Sequence, residues 1–229
     1  AWRKAYFSSK ESTLLESSLT TKDPFKLFDI WFRSIASVKD QLYEEVNAVC
    51  VTSVSSEGKP SSRMVLLKSY DDEGFTFFTN YDSRKGHELS ANPNAAMLFY
   101  WPKAHRQVRV EGLVERLPFS AADLYWNSRP IASRIGSKAS QQSTVIPDRQ
   151  FLENKKGELE AAVEKEGESA ASRPPLWGGL MLRPNYFEFW QGQSDRLHDR
   201  LVFSLSPPEE GQEYVKEAQA PWHLYRLSP

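Results

Sequence analysis

The hydrophobic positions of the chain change their period several times, and each change marks a predicted element. Between residues 25 and 35, apolar side chains recur at spacings of three and four, which predicts an amphipathic helix. Asp23 and Pro24 precede this run, as N-cap and first helical residue, and we expect the helix to reach about Val38.

Shorter runs, alternating or continuously apolar, predict β-strands. They cover residues 48–55, 62–69, 75–80, 95–101, 107–114, 180–183, 186–190, 201–205 and 222–226. Further helices are predicted over 120–128, over 148–165 and after Ser83, with a linker at 167–175 and a surface loop at 207–219. Many short strands with a few helices predict a mainly β, α+β fold, a β-barrel decorated with helices.

Length and composition limit the classes of protein that remain. A chain of 229 residues allows one large domain or two small ones, and we predict a single domain over 23–229 that follows an N-terminal arm over 1–22. The net charge of −1 gives no electrostatic case for binding nucleic acid or an anionic membrane. Zinc-ligand spacing, a Walker loop and a dinucleotide glycine motif are all missing, so no metal is expected.

Targeting signals and cysteine content bear on the compartment. The chain has no run near the ~18 apolar residues of a membrane helix and no signal-peptide pattern. Its single cysteine, Cys50, lies in an apolar run, is expected to be buried and cannot form an intrachain disulfide. We therefore expect a reducing intracellular compartment, the cytoplasm, although an organelle is not excluded.

The stretch 188–200 carries the densest group of candidate ligand-binding residues. Arg196, His198 and Arg200 stand at alternate positions after a Gln-Gly-Gln turn, so an extended strand would place them on one face. Three cations on one face repel each other unless an anion lies among them, and the planar fork of arginine suits phosphate. The alternative is a solvated strand edge with the neighbouring aspartates as counter-charges.

The start of the helix after Ser83 is a second candidate site. Arg84 and Lys85 fall in its first turn, where cations oppose the helix dipole by ~0.3–1 kcal/mol each. A phosphate at that terminus would reverse the sign, because it would meet free backbone N–H groups and both cations. The alternative is a solvated helix end, and His87 is expected at the surface.

Arg63 and Lys68 stand near the two ends of the predicted strand 62–69, at positions of opposite parity. An ideal strand would point them to opposite faces. One cation could then bind an anion while the other serves a different ligand or a partner subunit. Two solvated strand-end cations are the alternative.

Two other stretches contribute weaker candidates. Gln107 lies on the face opposite Val108 and Val110, which are expected in the core, so its amide could contact a ligand. Tyr125 and Arg129 are four residues apart on a predicted helix and share one face. That pair could hold an aromatic phosphate ester, although it is equally common on helix surfaces.

Taken together and in this order, these motifs resemble the pyridoxine (pyridoxamine) 5′-phosphate oxidase family. The resemblance covers about residues 3–228, and the combination of Trp-Gln-Gly with Arg-Leu-His-Asp-Arg is its most specific part. The residues that carry it are 63–68, 83–85, 106–108, 128–130, 142–143, 177–179, 188–192 and 196–200.

The resemblance implies an FMN-binding split β-barrel that works as a homodimer, with FMN where the subunits meet. It implies oxidation of pyridoxine or pyridoxamine 5′-phosphate to pyridoxal 5′-phosphate by hydride transfer to FMN, with oxygen as acceptor giving hydrogen peroxide. A non-catalytic flavin- or pyridoxal-phosphate-binding protein on the same barrel is the alternative, and it would not need Arg196 and His198. An RNA-binding barrel is disfavoured by the net charge of −1.

Matching positions assign roles residue by residue. The implied flavin contacts are Arg63, Met64, Val65, Leu66, Phe78, Thr79, Arg84, Lys85, Gln107, Gln142, Ser143, Trp190 and Arg200. The implied substrate contacts are Lys68, Tyr125, Arg129, Ser133, Arg196, Leu197 and His198, of which Arg196 and His198 are the implied catalytic residues. Arg3, Lys4, Ala5 and Tyr6 resemble the family's N-terminal arm, which closes over the substrate. The chain departs from the family's pattern at Trp126, Asn127, Ser137, Lys138 and Ser228.

Overall fold

In the computed structural model, which describes residues 13–38 and 45–229, an antiparallel sheet organises the chain. The strands are β1 (Ala48–Val54), β2 (Pro60–Leu66), β3 (Ser69–Tyr70), β4 (Phe75–Asn80), β5 (Asn94–Trp101), β6 (Arg106–Arg116), β7 (Trp177–Gln191), β8 (Asp199–Ser204), β9 (Lys216–Glu217) and β10 (His223–Arg226). The helices are α1 (Pro24–Ala36), α2 (Arg84–Ala91), α3 (Phe119–Ser128), α4 (Ile131–Ala139) and α5 (Arg149–Glu166). The strand order is β2-β1-β5-β6-β7-β8-β10-β9, and β4 pairs with β3 and β7.

Strand β7 is the longest of these strands, and it joins the two halves of the sheet. It pairs with β6 along both halves, with β4 through its first half and with β8 through its second half. The prediction of two separate strands at 180–183 and 186–190 was wrong, because β7 runs through Pro184. That proline lies opposite Gly112, where the register with β6 shifts, so its missing N–H removes no regular ladder bond.

Helix α1 closes the core with aromatic side chains. Asp23 caps it as predicted, accepting hydrogen bonds from the backbone N–H of Phe25 and of Lys26. Phe28 is fully buried and packs edge-on against Phe75 at 4.8 Å and Phe99 at 4.9 Å between ring centroids. Full burial of a side chain of this size contributes about 1.5–3 kcal/mol, so α1 is an integral part of the core.

The mainly β, α+β class predicted from the pattern is confirmed. Apart from β7, the predicted strands and helices begin and end within about three residues of observed elements. Helix α4 was not predicted, since Gly136 and two serines interrupt its apolar period. The predicted linker 167–175 contains a 3-10 turn, Glu168–Ala171, and the predicted loop 207–219 contains another together with β9.

Three smaller expectations can be compared with the described residues. Cys50 is half-buried rather than buried. No helix among the described residues is long and apolar enough to cross a bilayer. The division into an arm over 1–22 and a domain over 23–229 stays a prediction, because residues 1–12 lie outside the described part.

Candidate functional site

A cavity of about 870 Å³ opens between β2, β4 and the helices α3 and α4. Cavities of roughly 300–1,000 Å³ are typical of small-molecule sites. Most of the site residues implied by the resemblance line it. Those implied for the flavin are Arg63, Met64, Val65, Leu66, Phe78, Thr79, Arg84, Lys85, Gln142 and Ser143. Those implied for the substrate are Lys68, Tyr125, Arg129 and Ser133.

Helix α2 begins at this cavity with Arg84 and Lys85 in its first turn. Ser83 caps the helix as predicted, and its Oγ accepts a hydrogen bond from the backbone N–H of Gly86 at 3.3 Å. Only glycine fits at Gly86, since a Cβ there would lie 2.1 Å from the carbonyl oxygen of Tyr81. The helix start is therefore packed against the end of β4, and its N–H groups and cations together favour an anion.

Lys85 is a buried cation with neutral partners. Its Nζ donates to Oε1 of Gln142 at 2.9 Å and to Oγ1 of Thr79 at 3.1 Å. Burial lowers the pKa of Lys85 to about 8; nearby Arg63 lowers it further, whereas Glu88 opposes the change. Lys85 forms no ion pair with a carboxylate of the described residues. A buried ammonium group of this kind is stabilised when an anion enters.

Glu88 organises the two arginines of the same region. Its Oε1 accepts a hydrogen bond from Nε of Arg84 at 2.8 Å, and its Oε2 pairs with Nη2 of Arg63 at 3.2 Å. The hydroxyl groups of Ser53 and Ser61 donate to Oε2 at 2.5 Å and 2.7 Å. Burial alone would raise the pKa of Glu88, but hydrogen bonds from Ser53, Ser61 and Arg84 outweigh it and lower the pKa to about 2. Glu88 is therefore a carboxylate that holds both guanidinium groups in place.

We name Arg63, Arg84 and Lys85 the first cation set. Their three charges face the single carboxylate of Glu88, which leaves a formal charge of about +2 beside the cavity. A phosphate monoester carries about −1.5 to −2 charges at pH 7. The set is therefore matched in charge to a phosphate group.

Lys68 and Arg129 form a second cation set. Lys68 Nζ lies 5.8 Å from the ring centroid of Tyr125. Arg129 Nη2 donates to Oγ of Ser137 at 2.9 Å, while its Nη1 is buried without a hydrogen-bond partner. Burial lowers the pKa of Arg129. An unpaired buried donor costs about 1–3 kcal/mol, so a ligand oxygen that accepts from Nη1 would be stabilised.

Stacked aromatic rings form one wall of the cavity. Phe78 stacks on Tyr125 with 4.1 Å between centroids and on Trp177 with 5.3 Å. The interplanar angles are 26° and 15°, so the three rings are nearly parallel. Flat apolar rings of this kind suit a planar ring ligand.

The structure contradicts the expectation that Arg63 and Lys68 point to opposite faces. Strand β2 ends at Leu66, so Lys68 lies beyond the strand and its alternation. The backbone N–H of Lys68 donates to the carbonyl oxygen of Thr76 at 2.8 Å, which bends the chain towards β4. Both cations therefore line the same cavity.

Gln107, Trp190 and Arg200 lie elsewhere, in a row across three adjacent strands that we name the sheet row. Gln107 on β6 is directly opposite Trp190 on β7, which is opposite Arg200 on β8. A neighbour of each along its strand is fully buried, so the row lies on the sheet face that points away from the core. None of the three lines the cavity of its own chain.

A buried carboxylate, Glu188, fixes the arginine of the sheet row. Nε of Arg200 donates to Oε1 of Glu188 at 2.9 Å, and its Nη2 donates to Oε2 at 3.0 Å. Arg109 binds the same carboxylate at 2.8 Å and pairs with Glu111 at 2.7 Å. Burial would raise the pKa of Glu188, but hydrogen bonds from Arg200 and Arg109 lower it below its usual range. The guanidinium charges here are compensated within the chain.

The expectation that Arg196, His198 and Arg200 share one strand face was wrong. Strand β7 ends at Gln191 and β8 begins at Asp199, so residues 192–198 form a turn. Arg196 has φ of 72°, a left-handed conformation that an extended strand excludes. Only Arg200 lies on a strand, and the turn carries the other two.

His198 is nevertheless held in a defined orientation within this 192–198 turn. The backbone N–H of Gln193 donates to its Nδ1 at 2.9 Å. Its ring lies 5.0 Å from the ring of Trp190, at an interplanar angle of 47°. His198 is therefore adjacent to the sheet row, whereas His87 is exposed and pairs with Asp82, as a surface residue should.

The chain thus brings most, but not all, of the implied site residues together. Gln107, Trp190, Arg196, Leu197, His198 and Arg200 do not line the cavity. Arg3, Lys4, Ala5 and Tyr6 lie outside the described residues. The cavity also has lining residues that were not assigned to the site beforehand: Ser61, Ser62, Asn80, Pro130, Ser137, Ser140 and Trp177. Ser61, Ser62, Pro130 and Trp177 adjoin or belong to the quoted motifs, and Ser137 is one of the departures from the family's pattern.

Comparisons with known proteins match the chain in two segments. Residues 38–161 match the family model described as pyridoxamine 5′-phosphate oxidase. Residues 177–229, which include Trp190, the 192–198 turn and Arg200, match the model described as the pyridoxine 5′-phosphate oxidase C-terminal dimerisation region.

Relatives cover nearly the whole chain. A Caenorhabditis elegans protein is 61% identical over 227 residues, 99% of this chain and 95% of that protein. The pyridoxine-5′-phosphate oxidase of Bos taurus is 49% identical over 88% of this chain and 75% of its own length. The pyridoxine/pyridoxamine 5′-phosphate oxidase of Burkholderia vietnamiensis is 45% identical over 94% of this chain and 93% of its own length.

Solved structures confirm the fold. PhzG from Burkholderia lata, in complex with tetrahydrophenazine-1-carboxylic acid, has a TM-score of 0.75 and 28% identity over 95% of this chain and 98% of that one. A pyridoxamine 5′-phosphate oxidase-related protein from Nostoc punctiforme has a TM-score of 0.63 over 90% of this chain and 98% of that one, at 14% identity. The α+β split barrel implied by the resemblance is thereby confirmed.

Proposed function

The chain belongs to the pyridoxamine 5′-phosphate oxidase family, and from this premise we propose that it converts pyridoxine or pyridoxamine 5′-phosphate to pyridoxal 5′-phosphate, with FMN as cofactor. The observation that carries the proposal is one cavity lined by two cation sets and by a stack of aromatic rings. The cofactor and the substrate are both planar ring systems with a phosphate group. A site for the pair needs two phosphate-binding groups of residues, and the cavity offers two.

The first cation set fits the phosphate of FMN. It has an excess of positive charge, a helix N-terminus, and in Lys85 a buried ammonium that only neutral groups contact. Residues 63–66 belong to β2, which ends the strand order among the described residues. An edge strand has unpaired backbone donors and acceptors, which can bind the polar edge of a flavin ring. Bound FMN would supply the hydride acceptor, with oxygen as the final electron acceptor and hydrogen peroxide as product.

The second cation set fits the phosphate of the substrate. Arg129 has a buried Nη1 without an acceptor, and Lys68, which lies over the Tyr125 ring in the same cavity, would add a second charge. The hydroxyl groups of Tyr125 and Ser133 complete the polar lining at this point. These residues would bind and orient the substrate, while Arg196 and His198 would contact it near the reacting carbon.

Because the sheet row and the 192–198 turn lie outside the cavity of their own chain, we propose that a second copy completes it. Trp190 and Arg200 of the row, together with the turn, belong to the segment that matches a dimerisation region, which supports a homodimer. Each subunit would supply the cations of one cavity and the row and turn that complete the other. A monomeric mass by light scattering, at full FMN occupancy and activity, would contradict this assembly.

The test of the proposed function begins with an absorbance spectrum of the purified protein, in which we expect a flavin band. Oxidation of pyridoxine 5′-phosphate and pyridoxamine 5′-phosphate is then followed by the formation of pyridoxal 5′-phosphate and hydrogen peroxide. A protein that binds FMN and pyridoxal 5′-phosphate without turning over either substrate would be the non-catalytic alternative. Such a result, with FMN fully bound, would refute the enzymatic proposal.

A further inference from the structure

We propose that Asp199 is a positioning residue that holds the 192–198 turn, through Gln193, so that the ring proton of neutral His198 stays on Nε2. The kinetic part of this proposal rests on the proposed function, since it takes His198 as a substrate contact. The structural part stands on contacts within the described residues. It concerns a carboxylate to which neither the resemblance nor the comparisons assign a role.

Asp199 receives hydrogen bonds from three separate parts of the chain. Its Oδ2 accepts from Nε2 of Gln193 at 2.8 Å and from the backbone N–H of Leu14 at 3.0 Å. Its Oδ1 accepts from Nη1 of Arg226 at 2.7 Å. The side chain is only 7% exposed, so its charge needs the compensation that Arg226 provides. Asp199 therefore joins the first residue of β8 to the turn, to β10 and to the segment before α1.

The 192–198 turn needs such support because its backbone is unusual. Arg196 has φ of 72°, and a residue other than glycine in that region costs of order 1–3 kcal/mol. At its start, the backbone N–H of Gly192 donates to the carbonyl oxygen of His105 at 2.8 Å. The side chain of the next residue, Gln193, donates to Asp199, the first residue of β8. The start of the turn is therefore held by two residues outside the turn.

Gln193 connects this support to the imidazole. Its side chain binds Asp199, and its backbone N–H donates to Nδ1 of His198 at 2.9 Å. A ring nitrogen that accepts a hydrogen bond carries no proton, so the proton of the neutral imidazole is on Nε2. The ring donor of the neutral imidazole is therefore Nε2–H. If the Gln193 side chain is released, the backbone N–H loses its fixed direction and the tautomer is no longer enforced.

Glu16 provides a control for the ion pair between Asp199 and Arg226. Glu16 binds the outer side of Arg226, with Oε1 to Nε at 3.1 Å and Oε2 to Nη2 at 2.9 Å. Among the described residues, the Glu16 side chain forms hydrogen bonds and an ion pair with Arg226, and none with Gln193 or the turn. Loss of its charge should weaken the attachment of residues 14–16 without changing the Asp199–Gln193 hydrogen bond.

The first test is a double-mutant cycle on the FMN-loaded enzyme with Asp199→Asn and Gln193→Ala. Each single variant should raise the KM for pyridoxine 5′-phosphate about tenfold, with kcat changed less and FMN content unchanged. Gln193→Ala removes this hydrogen bond, and Asp199→Asn removes the carboxylate that accepts it, so the double variant should show little more than the effect of Asp199→Asn alone. Glu16→Gln should keep the wild-type KM. Effects of Asp199→Asn and Gln193→Ala that multiply in the double variant would overturn the proposal.

The second test measures the tautomer of the His198 imidazole and does not depend on catalytic turnover. In holoenzyme labelled with 15N-histidine, His198→Gln identifies the His198 signals among those of the four histidines. We expect a protonated Nε2 and an unprotonated Nδ1 in the wild type and in Glu16→Gln, and a mixture of tautomers in Gln193→Ala. An Nδ1–H tautomer in the wild type, or no change in Gln193→Ala, would overturn the proposal even if Asp199→Asn does not fold. Failure to oxidise the phosphate esters would refute the proposed function and leave this tautomer measurement valid.

Discussion

The cavity and the 188–200 stretch both contain several cations, but the two regions are built differently. In the cavity, Arg63 and Arg84 share the carboxylate of Glu88, Lys85 has only neutral partners, and the set keeps an excess of positive charge. In the 188–200 stretch, the charges of Arg200 and Asp199 are compensated within the chain. We infer that anion affinity resides in the cavity, whereas the stretch supplies oriented donors.

The two regions also differ in the sequence distance between their parts. The first cation set and its carboxylate come from residues 63–88, where a strand and a short helix bring them together. The 192–198 turn depends on residues near 105, 14 and 226, which reach it only through the sheet. The first cation set is therefore assembled within one continuous segment, whereas the residues that hold the 192–198 turn depend on the whole fold.

The largest expected effect comes from removing two charges of the first cation set. Arg84→Ala together with Lys85→Ala should weaken FMN binding by ~10³-fold, because a hydrogen bond to a charged group contributes about 1.5–3 kcal/mol. Fluorescence titration of the apo-protein with FMN measures this affinity. The control is Arg149→Ala with Lys156→Ala, two exposed cations on α5. Equal FMN affinity in both double variants would contradict the inference that anion affinity resides in the cavity.

The second effect concerns acid stability. Despite burial, hydrogen bonds from Ser53, Ser61 and Arg84 lower the pKa of Glu88 to about 2, from an ordinary value of 4.5. The stabilisation is present above about pH 4.5 and is lost as pH falls towards 2; at 1.36 kcal/mol per unit it amounts to about 3 kcal/mol. Urea unfolding of the apo-protein at pH 7, 4 and 3 should therefore show a gap between wild type and Glu88→Gln that narrows with acidity.

The matched variants sharpen this measurement. Glu188→Gln should show a change of the same sign, because the pKa of Glu188 is also lowered by its arginines. Glu160→Gln, on the exposed surface of α5, provides the control. A gap between wild type and Glu88→Gln that stays constant from pH 7 to 3 would contradict the role given to Glu88.

The third prediction separates the two arginines of the 188–200 stretch. In Arg200→Ala, the affinity for FMN should fall by a factor of tens. The variant removes a guanidinium group that Glu188 holds in a fixed plane. Arg196→Ala should keep its yellow flavin and lose turnover and substrate affinity instead. FMN content and steady-state kinetics, measured side by side, decide between them. A colourless Arg196→Ala beside a yellow, inactive Arg200→Ala would reverse the assignment.

The smallest effect is a pH dependence of FMN affinity. Lys85 has a pKa of about 8 in the free protein, and a phosphate beside it would raise that pKa in the complex. FMN affinity should change little between about pH 7 and 8, where the phosphate is already mostly dianionic. It should fall by up to about tenfold per unit above pH 8, until the pKa of Lys85 in the complex is reached. Lys85→Met should bind FMN more weakly but without this slope. Parallel slopes for wild type and Lys85→Met would exclude Lys85 as the titrating group.

Much of the cavity could be predicted from the sequence. The candidate anion site at the start of α2 could be predicted from three adjacent residues, Ser83, Arg84 and Lys85. An N-cap followed by two cations identifies a helix start at which the cations oppose the helix dipole. The resemblance assigned Tyr125, Arg129 and Gln142 to ligands, and all three line the cavity. Hydrophobic periodicity, together with capping and turn residues, also predicted most strands and helices. An element that buries one face places apolar residues at regular spacings along the chain, and these spacings can be read from the sequence.

Other features of the fold and of the site could not be predicted from neighbouring residues in the sequence. Helix α4 has too short an apolar period to be recognised, and Glu88, which binds Arg63 and Arg84, gave no signal of its own. The continuity of β7 through Pro184 depends on the register shift opposite Gly112. The alternate spacing of Arg196, His198 and Arg200 predicted a strand through all three. The spacing of residues does not show where strand pairing ends, and the structure ends β7 at Gln191 and begins β8 at Asp199.

By itself, the sequence determined the family, the α+β class and the residues of the cation sets, because these depend on contiguous motifs and on local periodicity. Only the tertiary structure decided that Arg63 and Lys68 line one cavity, that the sheet row lies outside it, and that Asp199 holds the turn that carries His198. The physical reason is that hydrogen bonds between residues far apart in the chain form only after strand register and strand ends are set. Those are decided by the packing of the whole sheet.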